Sequence, residues 1–85
     1  MVVITIPVPW LVTLRDGSVA VVWASSYSIE DGSYVFDTLV NASPDEQRLL
    51  EVSARTPSDP NRVGVVNARL PEGTVESVES APWPM

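Results

Sequence analysis

Two hairpin signals lie in Trp10-Leu11-Val12-Thr13-Leu14-Arg15-Asp16-Gly17-Ser18-Val19-Ala20-Val21-Val22-Trp23 and the adjoining Tyr27-Ser28-Ile29-Glu30-Asp31-Gly32-Ser33-Tyr34-Val35-Phe36. Each centres on Asp-Gly-Ser between runs of strand-forming residues. Asp tolerates a left-handed backbone and Gly adopts it freely, so Asp-Gly suits the two-residue type I′ loop of a hairpin. With such a loop at Asp16-Gly17, Leu14 faces Val19, Val12 faces Val21 and Trp10 faces Trp23. The same loop at Asp31-Gly32 sets Ile29 against Tyr34 and Tyr27 against Phe36, with Ser28-Val35 and Ser26-Asp37 on the other side. The strand shared by the two hairpins, Ser18 to Ile29, is too long to stay flat in a small domain. Ser25-Ser26 at its middle is the expected bend or bulge.

Further along, Ser43-Pro44-Asp45-Glu46 carries a helix start: Ser as N-cap, Pro in the first turn, and Glu placed to close a capping box. Arg48 to Arg55 fits a short helix burying Leu49, Leu50 and Val52, or a strand alternating Leu50, Val52 and Ala54 with Glu51, Ser53 and Arg55. A single turn at Ser43–Gln47 leading into a strand is the favoured reading. Thr56-Pro57-Ser58-Asp59-Pro60-Asn61 reads as a loop. Arg62 to Leu70 reads as a strand with a bulge or close approach at Gly64. Pro71-Glu72-Gly73 turns the chain, and Thr74 to Glu79 forms a last strand.

These spacings predict an all-β fold: one antiparallel meander of five or six strands closing into a small barrel, with one short helical turn near residues 43–50. Residues 1–80 form the domain, and 81–85 a Pro- and Trp-rich tail. The last third (strand, Pro-containing turn, short Val-x-x-Val strand) resembles the close of an SH3-like or Sm-like barrel. The opening pattern resembles short actinobacterial and phage proteins. Neither resemblance implies an activity. Arg, Val and Ala usage points to a gene from a high-GC bacterium or its phage.

Composition narrows the function by exclusion. In 85 residues there is no Cys and no His, so thiolate sites and the commonest general base and metal ligand are missing. No Ser has a His or Lys to activate it, and the four Gly are isolated rather than gathered in a phosphate loop. Glu30, Asp31, Asp37, Asp45, Glu46 and Glu51 are the acidic inventory, and turns and solvation account for them. The expectation is a protein that is not an enzyme and needs no cofactor or metal.

Net charge is -6, from 11 acidic residues against five Arg and no Lys. That balance opposes direct nucleic-acid binding and favours a basic partner. The N-terminal run lacks a basic region and is broken by Pro7 and Pro9. No apolar stretch reaches membrane-helix length. The expected location is the cytoplasm, or a particle assembled there.

Trp10 follows Pro7-Val8-Pro9, and Trp83 lies between Pro82 and Pro84. These residues either plug the ends of the barrel or anchor an interface, where Trp is enriched. Tyr27, Tyr34 and Phe36 form an aromatic cluster that could line a pocket. The leading expectation is a non-catalytic protein acting by protein–protein contact, as an assembly component or a modulator, through self-association or a partner. An acidic nucleic-acid mimic and a small-ligand-binding barrel are the alternatives, and a small molecule is the less expected occupant.

Overall fold

The computed structural model describes residues 1–4 and 6–81. Among these, eight strands, one α-helical turn and one 3-10 turn follow in the order β1 (Val2–Val3), β2 (Val8–Leu14), β3 (Val19–Ala24), β4 (Ser26–Glu30), β5 (Ser33–Asn41), α1 (Pro44–Gln47), β6 (Val52–Thr56), β7 (Asp59–Pro71), the 3-10 turn (Glu72–Thr74) and β8 (Val75–Ser80). The fold is all-β. The strands form two antiparallel sheets: β3-β2-β8, and a five-stranded sheet in which β5 pairs β7 on one edge and both β4 and β1 on the other, with β6 beyond β7. The expected closure of a single meander into a five- or six-stranded barrel is not what the ladders describe. The count rises from six to eight because the shared strand breaks in two, and because β1 adds to the second sheet.

The break falls at Ser25, as its position predicted. Its N–H donates to Asp37 O at 2.8 Å instead of continuing the ladder with β2. The Ser25 hydroxyl accepts from Leu39 N–H at 3.3 Å. β3 therefore leaves in one sheet and β4 enters in the other. The edge of β5 beyond Asp37 is vacated, and β1 fills it through Val2↔Asn41 and Val3↔Val40.

The two hairpins part company at their loops. In the second, Tyr27↔Phe36 and Ile29↔Tyr34 pair as expected. Asp31 and Gly32 both have positive φ, 49° and 75°, as a type I′ turn demands. In the first, the register is shifted by one: Trp10 pairs with Val22, Val12 with Ala20, and Trp23 with Pro9. Trp10 and Trp23 therefore point to opposite faces. The loop has three residues, with Gly17 alone at φ 90°. Gly17 N–H donates to Leu14 O at 3.0 Å, and Leu14 N–H to Ser18 O at 2.9 Å. That is a tight turn followed by a left-handed glycine, the usual three-residue hairpin. Asp16 stabilises it by accepting from Ser18 N–H at 2.8 Å and Ser18 Oγ at 2.5 Å.

Packing supplies the reason. Trp10, Val12 and Leu14 point into the main core, and the shift sets Ala20, Val22 and Ala24 beside them rather than Val19, Val21 and Trp23. Large residues against small ones fill the space between two sheets without clash. Phe36, Val12, Ala24 and Val75 are the buried centre of this core. A second, smaller cluster gathers Val40, Ala42 and Val63 with Leu50, Val52 and Val65.

The helical turn is as predicted: Ser43 Oγ accepts from Glu46 N–H, and Glu46 accepts from Ser43 N–H. A strand follows it. Two corrections concern the next segment. The expected loop at 56–61 shrinks to a turn, because Thr56 pairs with Asp59. β7 also runs from Asp59 to Pro71, longer than the Arg62–Leu70 expected. Pro60 is tolerated because it lies at the second residue of the strand, where a missing N–H costs little. Gly64 sits at an irregular step of the β6–β7 ladder. A Cβ there would stand 3.0 Å from Ser53 Oγ, so the close approach read from the sequence is real.

Candidate functional site

Three surfaces merit comparison. The first is the aromatic cluster. Tyr27 meets Phe36 across the second hairpin with ring centroids 5.6 Å apart, and Tyr34 diagonally at 6.0 Å. Trp10 joins them edge-on to Tyr27 at 4.9 Å. This contact was not anticipated, because the two residues belong to different sheets. The Trp10 indole N–H donates to Ala24 O at 3.1 Å. Phe36 is fully buried, while Tyr27 remains on the surface. The rings pack on one another, and none of them lines the clefts described below. Their chemistry is cohesion between sheets, worth about 0.5–1.5 kcal/mol per ring pair beyond burial.

The second surface is the outer face of β3-β2-β8. The register places Val19, Val21 and Trp23 outward, exposed at 56%, 53% and 43%. Beside them on β2 lie Thr13 and Leu11, both half-buried, and Pro9, which is buried, and on β8 Ser77 and Glu79. Ala81 extends the row, its N–H donating to Pro9 O at 2.9 Å. Glu79 is the one charged residue in these three rows. Such a band is unlike scattered surface apolars, which need no explanation. Leu49 is the contrasting case: 87% exposed, and next to Arg48 rather than within an apolar row.

The third surface is a set of clefts. An apolar one of about 270 Å³ lies between β1 and the inner face of β5 and β7, lined by Met1, Val3, Pro7, Thr38, Val40, Val65 and Asn67. Its polar floor is satisfied, with Thr38 Oγ1 donating to Asn67 Oδ1 at 3.0 Å. Another, of about 310 Å³, lies on the opposite face beside Asp37.

The acidic residues singled out above are dispersed. Glu51 pairs with Arg69, and Asp45 lies 3.6 Å from Arg48. Glu46 bonds the N-terminal ammonium of Met1, which together with Ser43 N–H holds its carboxyl down at about 2. The Asp16 carboxyl is likewise lowered, by its two bonds from Ser18. Glu30 and Asp31 sit at the second turn, and Asp37 pairs across to Ser26. No group of three metal-ligating side chains occurs among the described residues. No described helix is long and apolar enough to cross a membrane. Pro82, Trp83 and Pro84 lie outside the described residues. No protein-family model, curated protein or solved structure matches the chain.

Proposed function

We propose that this protein works by contact with another protein chain, as an assembly component or a modulator, and that the outer face of β3-β2-β8 is the contact surface. The observation that supports it is the row Val19, Val21 and Trp23, about half exposed at three successive outward positions of one strand. Burying apolar area of this kind stabilises a complex by roughly 25 cal/mol per Å², before the cost of association. Large aromatic side chains in such a patch carry a disproportionate share. A net charge of -6 favours a partner whose approaching surface is neutral or basic. The reading is of a non-catalytic protein of the cytoplasm, or of a particle assembled there.

The test is a photo-crosslinking amino acid placed at Val21 and, in a separate variant, at Leu49. Both positions are exposed and apolar, but only Val21 lies in the proposed surface. Irradiation in the producing cells should give a discrete adduct from position 21, either to a second copy or to another protein, and none from position 49. Absence of any adduct at 21, or the same diffuse pattern at both positions, would refute the proposal.

A further inference from the structure

The outer face of the five-stranded sheet holds a small built cleft that the contact surface above does not use. Asp37 lies at its centre. Ser26 Oγ of β4 donates to Asp37 Oδ1 at 2.7 Å, and Ser53 Oγ of β6 donates to Oδ2 at 3.2 Å. β6 is two strands away from β5, so a flat sheet would keep Ser53 out of reach. One irregular step and one glycine bring it in. Ser53 is the extra residue between the pairs Val52↔Val65 and Ala54↔Gly64. Gly64, having no side chain, lets Ser53 pass over the intervening strand. The result is a concave site of about 310 Å³ walled by Ser25, Ser26, Asp37, Leu39, Ala54 and Gly64.

The charge in this cleft is one-sided. Asp37 is half-buried, yet among the described residues no cation forms an ion pair with it. Arg69, opposite Val35 on the same strand as Asp37, pairs with Glu51 instead. Each carboxylate oxygen accepts one hydroxyl, which leaves each a further acceptor position. Leu39, Ala54 and Gly64 give the walls an apolar, narrow character, suited to an aliphatic stem. A carboxylate with both oxygens open to one more donor matches the two-pronged donor of a guanidinium.

The geometry points to this cleft as a seat for an arginine side chain presented by another protein. The stem lies along Leu39, Ala54 and Gly64, and the guanidinium forks onto Asp37. The acidity of the chain as a whole draws a basic partner toward it. The inference does not depend on the β3 face, and either can fail without the other.

The experiment is an NMR titration of the intact protein with acetyl-Gly-Arg-Gly-amide. The isosteric but uncharged citrulline peptide is the control, and butylguanidinium is a third ligand. The Arg peptide should shift the amide signals of Ser26, Asp37, Ala54 and Gly64 saturably, with weak affinity that falls as salt rises. The citrulline peptide should leave them unmoved. Asp37→Asn should weaken the response about tenfold, the effect expected for loss of a charge-assisted pair worth about 1.4 kcal/mol. If Asp37→Asn does not fold, Ala54→Leu tests the same seat by filling it from an exposed position, and should also abolish the shifts. An equal response to citrulline, an undiminished response in both variants, or no response to the Arg peptide would overturn the assignment. A response to butylguanidinium without one to the peptide would overturn it too, since the seat would then serve a small cation.

Discussion

The two hairpins share Asp-Gly-Ser at their tips and nevertheless close differently. The second has strict alternation on one strand, Ser26-Tyr27-Ser28-Ile29-Glu30, so only one register sends its large residues to one face. The first has Val19-Ala20-Val21-Val22-Trp23-Ala24, apolar at every position, so polarity cannot say which set faces inward. There the choice falls to volume. The small-large-small set Ala20, Val22, Ala24 fits beside Trp10, Val12 and Leu14, and the loop lengthens by one residue to allow it. The lesson is that a turn dipeptide proposes a register and the core disposes of it. The consequence is functional, since the rejected set, Val19, Val21 and Trp23, is left facing outward.

The sharpest way to break this comparison is a charge on each face of β3. Ala24 is fully buried, and Ala24→Asp places an unpaired carboxylate in the core. We expect a loss of at least about 3 kcal/mol in urea unfolding. Val21→Asp, on the outer face, should change stability by under about 1 kcal/mol. Equal losses at both positions would mean that the two faces are not distinct.

A smaller effect separates the loops themselves. Asp31 has φ 49°, and a β-branched residue there is strained, so Asp31→Val should cost about 1–2 kcal/mol. Asp16 has no positive φ, and Asp16→Val loses only its bonds to Ser18. Its midpoint should shift less than that of Asp31→Val. The reverse order would place the type I′ turn in the wrong hairpin.

Much of the fold was legible for local reasons. The second hairpin, the capping box at Ser43–Glu46, the break at Ser25 and the close approach at Gly64 each depend on residues near one another in sequence. What could not be read depends on distant partners. β1 forms because the break at Ser25 vacates the edge of β5, about 40 residues downstream of it. Nothing in Met1-Val2-Val3-Ile4 announces this. β7 starts early because Thr56 and Asp59 can pair once β6 is in place. The candidate surface was illegible for the same reason as the first register. Paired with Val12 and Trp10 by the expected two-residue loop, Val21 and Trp23 could not be separated from them as a surface of their own. Of the aromatic cluster, Tyr27, Tyr34 and Phe36 were recognisable from one hairpin, whereas Trp10 required knowing how the sheets stack.

The smallest predicted effect concerns the helical turn, which is local in the way the second hairpin is. The Glu46 carboxyl is depressed to about 2, first by the Met1 ammonium and then by Ser43 N–H. A carboxyl lowered in the folded state stabilises the fold above its ordinary value of 4.5, and that contribution is lost as pH falls toward 2. Glu46→Gln should therefore melt slightly below the wild type at pH 7, and the gap should close by pH 2. The group is exposed, so added salt should narrow the gap as well. A gap that is constant with pH would assign the effect to the loss of a neutral hydrogen bond.

The register of β3 underlies both the core and the proposed contact surface, and the absence of native cysteine makes it directly measurable. Single cysteines placed in turn at residues 19 to 24 of the free protein can be reacted with a thiol reagent under native conditions. Modification should be fast at 19, 21 and 23, slower at 20 and 22, and slowest at 24. Fast reaction at 20, 22 and 24, with protection at 19, 21 and 23, would restore the two-residue loop and remove the apolar face on which the functional proposal stands.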